Sequence, residues 1–208
     1  MDLVLHQYYR SSSSWRVRWA LAEKGLAYRA VAVNLLASEQ KSEDYARTSP
    51  TAYVPALSID GRVLTESVAI IELLDDLAPE PPLRPADPFM RAKMRQLVEI
   101  VNAGTQPLQN LSLLQKISGD RPTQVAWARP LIERGLTSFE HARAGLPEGP
   151  YCLGEQLTMA DLYLVPQLYN ARRFEVPLEA FGRLLEIERA CLARDACKRA
   201  APDAWEPA

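Results

Sequence analysis

A small α/β unit followed by an all-helical one is the architecture this sequence predicts. Three observations carry the prediction. Strand-like and helix-like segments alternate through the first eighty residues. Asp60-Gly61 sits between two short apolar runs, a strong hairpin signal because both turn positions favour positive φ. Pro79-Glu80-Pro81-Pro82-Leu83-Arg84-Pro85-Ala86-Asp87-Pro88 cannot continue a helix, and everything after it reads as helical. The expected division is an α/β domain over 1–78, a proline-rich linker over 79–88 and a helical domain over 89–208.

Each element has its own local warrant. Leu3–Tyr8 is rich in aliphatic, aromatic and β-branched residues and reads as a strand. Trp15–Lys24 keeps helix formers and apolar residues in register and stops at Gly25, a natural residue just past a helix end. A second strand follows over Tyr28–Val33, then an amphipathic stretch near Ser42–Arg47. Pro55–Ile59 and Arg62–Thr65 flank the hairpin turn. Glu66-Ser67 opens a helix over Val68–Leu77, with Val68, Ile71, Leu74 and Asp75 spaced for one buried side and one wet one. Beyond the prolines, helices are expected over Phe89–Ile117, Pro122–Ala144, Met159–Phe174 and roughly Leu178–Ala193. Pro107 should kink or locally open the first of these, leaving Gln106, Gln109 and Asn110 near the bend. Thr158-Met159-Ala160-Asp161 fits a capping box that closes a helix start on itself.

Bulk properties exclude several function classes. The 208 residues carry a net charge of −2, so nothing in the charge balance attracts nucleic acid or an anionic membrane. No apolar run approaches the roughly 20 residues that span a bilayer. The N-terminus enters a strand directly, without a basic segment, apolar stretch and cleavage site, which predicts a cytoplasmic protein. Cys152, Cys191 and Cys197 lack metal-like spacing and are odd in number, so they are expected to pack rather than bridge. With His6 and His141 as the two histidines, no metal site is expected.

The richest chemistry lies in Tyr9-Arg10-Ser11-Ser12-Ser13-Ser14-Trp15-Arg16-Val17-Arg18. A run of hydroxyls stands where a strand ends and a helix begins. Free backbone N–H groups and the helix dipole favour an anion there, such as a thiolate, carboxylate or phosphate. The other local reading is that one serine serves only as an N-cap, the rest being polar loop.

These serines, together with Val54-Pro55, Glu66-Ser67-Val68-Ala69-Ile70-Ile71-Glu72, Gln106-Pro107-Leu108-Gln109-Asn110-Leu111 and Thr158-Met159-Ala160-Asp161-Leu162-Tyr163-Leu164-Val165-Pro166-Gln167, resemble the zeta class of the cytosolic glutathione transferases. That class contains maleylacetoacetate isomerase and the related maleylpyruvate isomerases. The resemblance runs in order over nearly the whole chain. It implies a thioredoxin-like N-terminal domain with an all-helical C-terminal domain, glutathione as cofactor and a homodimer.

The resemblance also implies residue roles. Ser11 would donate to the glutathione sulfur, Ser12 would support it, and Ser13 falls where many relatives carry cysteine. Val54 would pair its backbone with the cysteinyl peptide, held by a cis Pro55. Glu66 would take the γ-glutamyl amine and Ser67 the γ-glutamyl carboxylate; an ordinary N-cap is the other reading of Ser67. Gln106, Gln109 and Asn110 would face the glycyl end or the substrate. Arg10 first, and then Arg173 ahead of its neighbour Arg172, are candidates for the carboxylates of a dicarboxylate substrate, against solvated surface charge as the alternative. Arg16 and Arg18, deeper in the helix, are expected to make structural or subunit contacts. The implied reaction is reversible addition of the glutathione sulfur to a maleyl double bond, rotation, and elimination to the fumaryl isomer. Leu111-Ser112 lacks the arginine some maleylpyruvate-type relatives have, which favours maleylacetoacetate or another substrate over maleylpyruvate. Two other functions remain open: glutathione conjugation of small electrophiles such as α-haloacids, and a non-catalytic binding protein of the same fold.

Overall fold

Four short strands form one sheet in the order β2-β1-β3-β4, and a computed structural model describes it within residues 1–206. The strands are β1 (Leu3–Gln7), β2 (Arg29–Ala32), β3 (Ala56–Ile59) and β4 (Arg62–Thr65). β1 and β2 run parallel, which requires a crossover; α1 (Ser12–Glu23) supplies it. β3 runs antiparallel to both β1 and β4. The β3–β4 turn holds Asp60 at φ 49° and Gly61 at φ 80°, so both turn residues are left-handed as the Asp-Gly pair predicted.

The chain divides into two compact units. The first comprises Met1–Pro82 together with the chain from Arg194; the second is Leu83–Ala193. The division differs from the helical domain expected over 89–208, because the C-terminal segment packs with the first unit. There α9 (Asp195–Ala200), absent from the sequence reading, lies against α1, and Arg18 Nε donates to the Ala200 carbonyl at 2.8 Å.

In the first unit, α1 packs against α3 (Ser67–Leu77) over a core that includes Leu5, Val17, Trp19, Leu57, Ile70, Ile71 and Leu74. Burying each such large apolar side chain is worth about 1.5–3 kcal/mol. Gly25 ends α1 at φ 63° in a Schellman motif, with Leu26 N–H bonded to the Leu21 carbonyl and Gly25 N–H to that of Ala22. α3 starts one residue earlier than expected. Its buried side uses Ile70 where Val68 was expected, Val68 being only half-buried, and Asp75 turns inward to meet Lys24. α2 (Glu43–Thr48) is capped by Ser42, whose hydroxyl accepts from Tyr45 N–H.

In the second unit, the single helix expected over Phe89–Ile117 is three pieces. α4 (Pro88–Asn102) ends, a 3-10 turn covers Gln106–Gln109, and α5 (Leu111–Ile117) restarts at an Asn110 cap. Pro107 has no N–H to offer, and the buried Thr105 hydroxyl bonds back to the Ile100 carbonyl at 2.8 Å, competing with the ladder. Opposite Thr105, α6 (Arg121–Arg143) carries Gly135, where a Cβ would collide with the Thr105 side chain. α7 (Met159–Arg173) is the central helix, its residues from Met159 to Leu168 all buried, and α8 (Gly182–Ala193) packs on it. Asp161 closes the start of α7 as the capping box predicted, accepting from Thr158 N–H at 2.8 Å and from Cys152 N–H at 2.7 Å. Leu83 belongs to this unit rather than to a linker: it is buried and its carbonyl accepts from Met159 N–H. Among the described residues, no helix is long and apolar enough to cross a membrane.

Candidate active site

Strand register brings three distant segments together. His6 lies opposite Ala56, and Ala56 opposite Thr65. The C-terminal end of β1, the N-terminal end of β3 and the C-terminal end of β4 therefore share one end of the sheet. The segments leaving that end are Tyr8–Ser13, Val54-Pro55 and Glu66-Ser67, and two helices, α1 and α3, begin there.

At the first segment Ser11 is the N-cap of α1, with φ −70° and ψ 120°, and its hydroxyl oxygen accepts from Ser14 N–H at 3.2 Å. The N-cap and anion readings are compatible. An oxygen that accepts one bond still has its own proton to donate. Ser12 and Ser13 fill the first two helical positions, where no intrahelical carbonyl reaches their N–H groups. The loop ahead of them is fixed from below by Arg18, a buried guanidinium that bonds the Tyr9 carbonyl at 2.9 Å, the Tyr8 carbonyl at 3.4 Å and Gln7 Oε1 at 2.5 Å. Burial pulls the Arg18 pKa down to about 10, with Tyr28 opposing. Half-buried Arg10 places its guanidinium 5.3 Å from the Tyr9 ring centre and 3.5 Å from Tyr8 Oη.

At the second segment the Val54–Pro55 peptide is cis, and both residues are buried. Tyr45 Oη and Ser49 Oγ both donate to the carbonyl of Tyr53, at 2.8 and 2.9 Å, so α2 and its end tie down the residue before Val54. Burial raises the Tyr45 pKa to about 12, which keeps it a donor.

At the third segment Glu66 is the N-cap of α3 at φ 71° and ψ 115°, a backbone region that L residues rarely adopt. Strain of this kind costs on the order of 1–3 kcal/mol and clusters at ligand sites. Ser67 is the first helical residue rather than the cap. Its buried hydroxyl accepts from Arg16 Nη1 at 3.3 Å. Arg16 was expected to make structural or subunit contacts, and the fold buries it in a structural one, against Ser67. The signal was a charge inside the apolar run Trp15 to Val17, which a helix buries only with partners.

The remaining expected residues lie in the second unit. Gln106 is half-buried on the 3-10 turn. Gln109 is buried and donates to Gln167 Oε1 at 2.5 Å, a core contact where a cofactor contact was expected. Asn110 caps α5, accepting from Ser112 N–H at 3.3 Å. Arg172, expected to bind substrate, forms a two-point ion pair with buried Glu188 at 2.6 and 2.5 Å, which raises its pKa. Arg173 is exposed, with Nη1 on Asn170 Oδ1 at 3.1 Å.

None of the three cysteines fits a nucleophile. All are buried, and burial beside the Asp161 carboxylate pushes the Cys152 thiol well up. A cavity of about 270 Å³ lies between β2 and α2, lined in part by His6, Glu39, Asp44 and Tyr45, and includes none of the expected glutathione contacts. Burial, with Arg29 adding, lowers the His6 pKa.

Known proteins match this geometry. Residues 5–82 match the glutathione S-transferase N-terminal domain family. Maleylacetoacetate isomerase of Rattus norvegicus is 42% identical over 93% of this chain and 89% of its own length. A crystal structure of maleylacetoacetate isomerase from Anaeromyxobacter dehalogenans, with dicarboxyethyl glutathione and citrate in its active site, is 45% identical, covers 97% of this chain and 95% of its own, and superposes with a TM-score of 0.85. The holo structure of a bacterial zeta-class maleylpyruvate isomerase is 36% identical over 98% of both chains, with a TM-score of 0.95. With the serine run, the cis proline and the Glu66-Ser67 turn gathered at one end of a thioredoxin-like sheet, this chain belongs to the zeta-class glutathione transferase and maleylacetoacetate isomerase family.

Proposed function

We propose that this chain isomerises a maleyl keto acid, maleylacetoacetate foremost, to its fumaryl form with glutathione as cofactor. The carrying observation is the convergence of Ser11–Ser13, Val54-Pro55 and Glu66-Ser67 at one sheet end, where two helix N-termini also meet. That donor set fits a tripeptide bearing a thiol, an amine and two carboxylates. Anionic groups suit the two N-termini, and the exposed Glu66 carboxylate suits the amine.

When bound, glutathione supplies a sulfur that adds reversibly to the cis double bond, so that the bond can rotate before the sulfur leaves. The chain's own residues set up that chemistry. Ser11 keeps its hydroxyl proton for the sulfur while its oxygen holds Ser14 N–H, and the start of α1 favours the thiolate over the thiol. Arg18 holds the Tyr8 and Tyr9 carbonyls and so fixes the loop that presents Ser11. Arg10 and exposed Arg173 are the residues we assign to the substrate carboxylates. Arg172, committed to Glu188, is left as a structural residue.

The test is purified protein with maleylacetoacetate and catalytic glutathione. Loss of substrate absorbance with glutathione undiminished supports isomerisation; stoichiometric consumption of glutathione would move the reading to conjugation. A chain that neither binds immobilised glutathione nor shows thiolate absorbance with it overturns both. Family membership further supports a cytoplasmic homodimer. Sedimentation should then give twice the 23.3 kDa chain mass, and fractionation should place the protein in the cytosol.

A further inference from the structure

The C-terminal segment folds back onto α1 and reaches the buried Arg18. Arg194 forms a two-point ion pair with Glu23 at 2.8 and 2.6 Å, α9 packs on α1, and the 3-10 turn Pro202–Ala204 delivers Trp205. The Trp205 indole N–H donates to the Arg199 carbonyl at 2.8 Å, and its ring stacks on Tyr28 with centres 6.0 Å apart and planes 16° from parallel. The Arg18 guanidinium stands 5.6 Å from the centre of the same indole, while its Nε donates to the Ala200 carbonyl at 2.8 Å. Two residues of the tail thus hold one buried cation. The oxygens that bond it are neutral, those of Gln7, Tyr8, Tyr9 and Ala200. A desolvated guanidinium among neutral partners gains most from an aromatic face laid against it. On its other side Arg18 meets the loop ahead of α1. The Tyr8 carbonyl accepts from Arg18 Nη1 at 3.4 Å and from Ser11 N–H at 3.0 Å, so one oxygen joins the cation to the Ser11 backbone. Arg18 Nη2 holds the next carbonyl, that of Tyr9, at 2.9 Å. Released from Arg18, both carbonyl dipoles would be free to turn toward an anion at the start of α1, where they would oppose it.

We propose that Trp205, on the C-terminal segment, is a positioning residue for the glutathione sulfur: with Ala200 it holds Arg18, Arg18 holds the Tyr8 and Tyr9 carbonyls, and the Tyr8 carbonyl fixes Ser11. The inference rests on the glutathione-binding reading above. Trp205 acts through these intermediaries, so its effect falls on how well the start of α1 stabilises the thiolate, and hence on kcat. The hold on the rest of the tripeptide by Val54-Pro55 and Glu66-Ser67 is left as it is. A tail that merely anchored the end of the chain would change unfolding and leave the bound sulfur unaltered.

The experiment uses the full chain as wild type, Trp205→Ala, Trp205→Phe, Arg18→Met and the double variant Arg18→Met with Trp205→Ala. Three quantities are measured: thiolate absorbance of bound glutathione at saturation, kcat and KM with maleylacetoacetate, and the dissociation constant of S-methylglutathione, which has no thiol to ionise. We expect Trp205→Ala to lower kcat by about 3- to 30-fold, the span of a cation–π contact from exposed to desolvated, with a matching loss of thiolate absorbance. S-methylglutathione binding should change by less than about threefold. Trp205→Phe keeps a ring face and should retain more than about half of the wild-type kcat. In the Arg18→Met background the Trp205 effect should shrink to less than about twofold, because the intermediary is gone. A Trp205→Ala protein that melts earlier with kcat and thiolate absorbance unchanged overturns the proposal, as does an undiminished effect without Arg18 or an equal loss of S-methylglutathione binding. If Trp205→Ala does not fold, Trp205→Leu replaces it, filling space without a π face; its kcat should fall below that of Trp205→Phe, and equal values overturn the proposal. If Arg18→Met does not fold, Arg18→Lys replaces it, keeping a charge but losing the fork that grips both carbonyls. The Trp205 effect should again shrink there, and an undiminished one overturns the proposal. Wild-type protein that binds neither glutathione nor S-methylglutathione overturns the glutathione reading itself, and this inference with it.

Discussion

Lys24 Nζ and Asp75 Oδ1 are 2.5 Å apart in the interior of the first unit, joining the end of α1 to α3, with the Pro81 carbonyl accepting a second bond from the same ammonium at 2.6 Å. Both side chains are almost wholly buried, 0% and 6% exposed, so neither can fall back on water if the other is removed. Asp75→Ala should therefore cost about 3–5 kcal/mol, more than its share of favourable energy in the intact pair. Denaturant unfolding checks this. A double change of Lys24→Met and Asp75→Leu should recover most of the loss, since it leaves no orphaned charge.

Ser11 carries two separable jobs. As an N-cap it contributes about 1 kcal/mol, and Ser11→Ala should lower stability by that amount. As a donor to sulfur it should decide turnover, so the same variant is expected to lose most activity and most thiolate absorbance in bound glutathione. Ser13→Ala should be milder on both counts. Wild-type turnover in Ser11→Ala would remove the basis for the assignment.

Glu66 holds its strained φ of 71° where glycine would be at ease. Glu66→Gly should raise the unfolding free energy by about 1 kcal/mol or more while weakening glutathione binding, because the carboxylate for the amine is lost. Opposite signs in the melting and binding experiments are the signature. A variant that loses both stability and affinity would show that the backbone geometry carries no strain.

His6 gives a pH dependence with a defined sign. Burial first, and then Arg29, hold its folded pKa below the ordinary value of 6.5. The unfolded chain therefore takes up the proton first as pH falls. Stability should be fully present above about 6.5 and should decline as pH drops through that value toward the folded pKa, levelling below it. Unfolding of His6→Gln across the same range should show a shallower acid decline than wild type.

Arg172 and Arg173 are neighbours with different expected phenotypes. Arg172→Ala leaves buried Glu188 without its two-point partner and should lower the melting temperature with KM for the maleyl substrate unchanged. Arg173→Ala should raise KM with little change in melting. A reversal of the two phenotypes would exchange their assignments.

Much of this protein was legible in its sequence wherever the governing chemistry is local. Asp60-Gly61 fixes its turn through φ preferences of two adjacent residues, Gly25 ends α1 within one turn, and Asp161 reaches Thr158 three residues back. The serine run, Val54-Pro55 and Glu66-Ser67 could be singled out because each is a short motif with its own chemistry.

What the sequence left open depends on partners far along the chain. Arg16 meets Ser67 across 51 positions and Arg18 meets Ala200 across 182, distances no periodic pattern encodes. Arg172 has the chemistry of a ligand, yet Glu188 sixteen positions on holds it, and the opening expected at Pro107 becomes a full break because the Thr105 hydroxyl bonds back to the Ile100 carbonyl. Local rules determine which residues form a helix, a turn or a cap, because those contacts lie within a few residues. Only the packed fold decides which charges are buried and which loops share a sheet end, since burial and register arise when distant segments meet and exclude water.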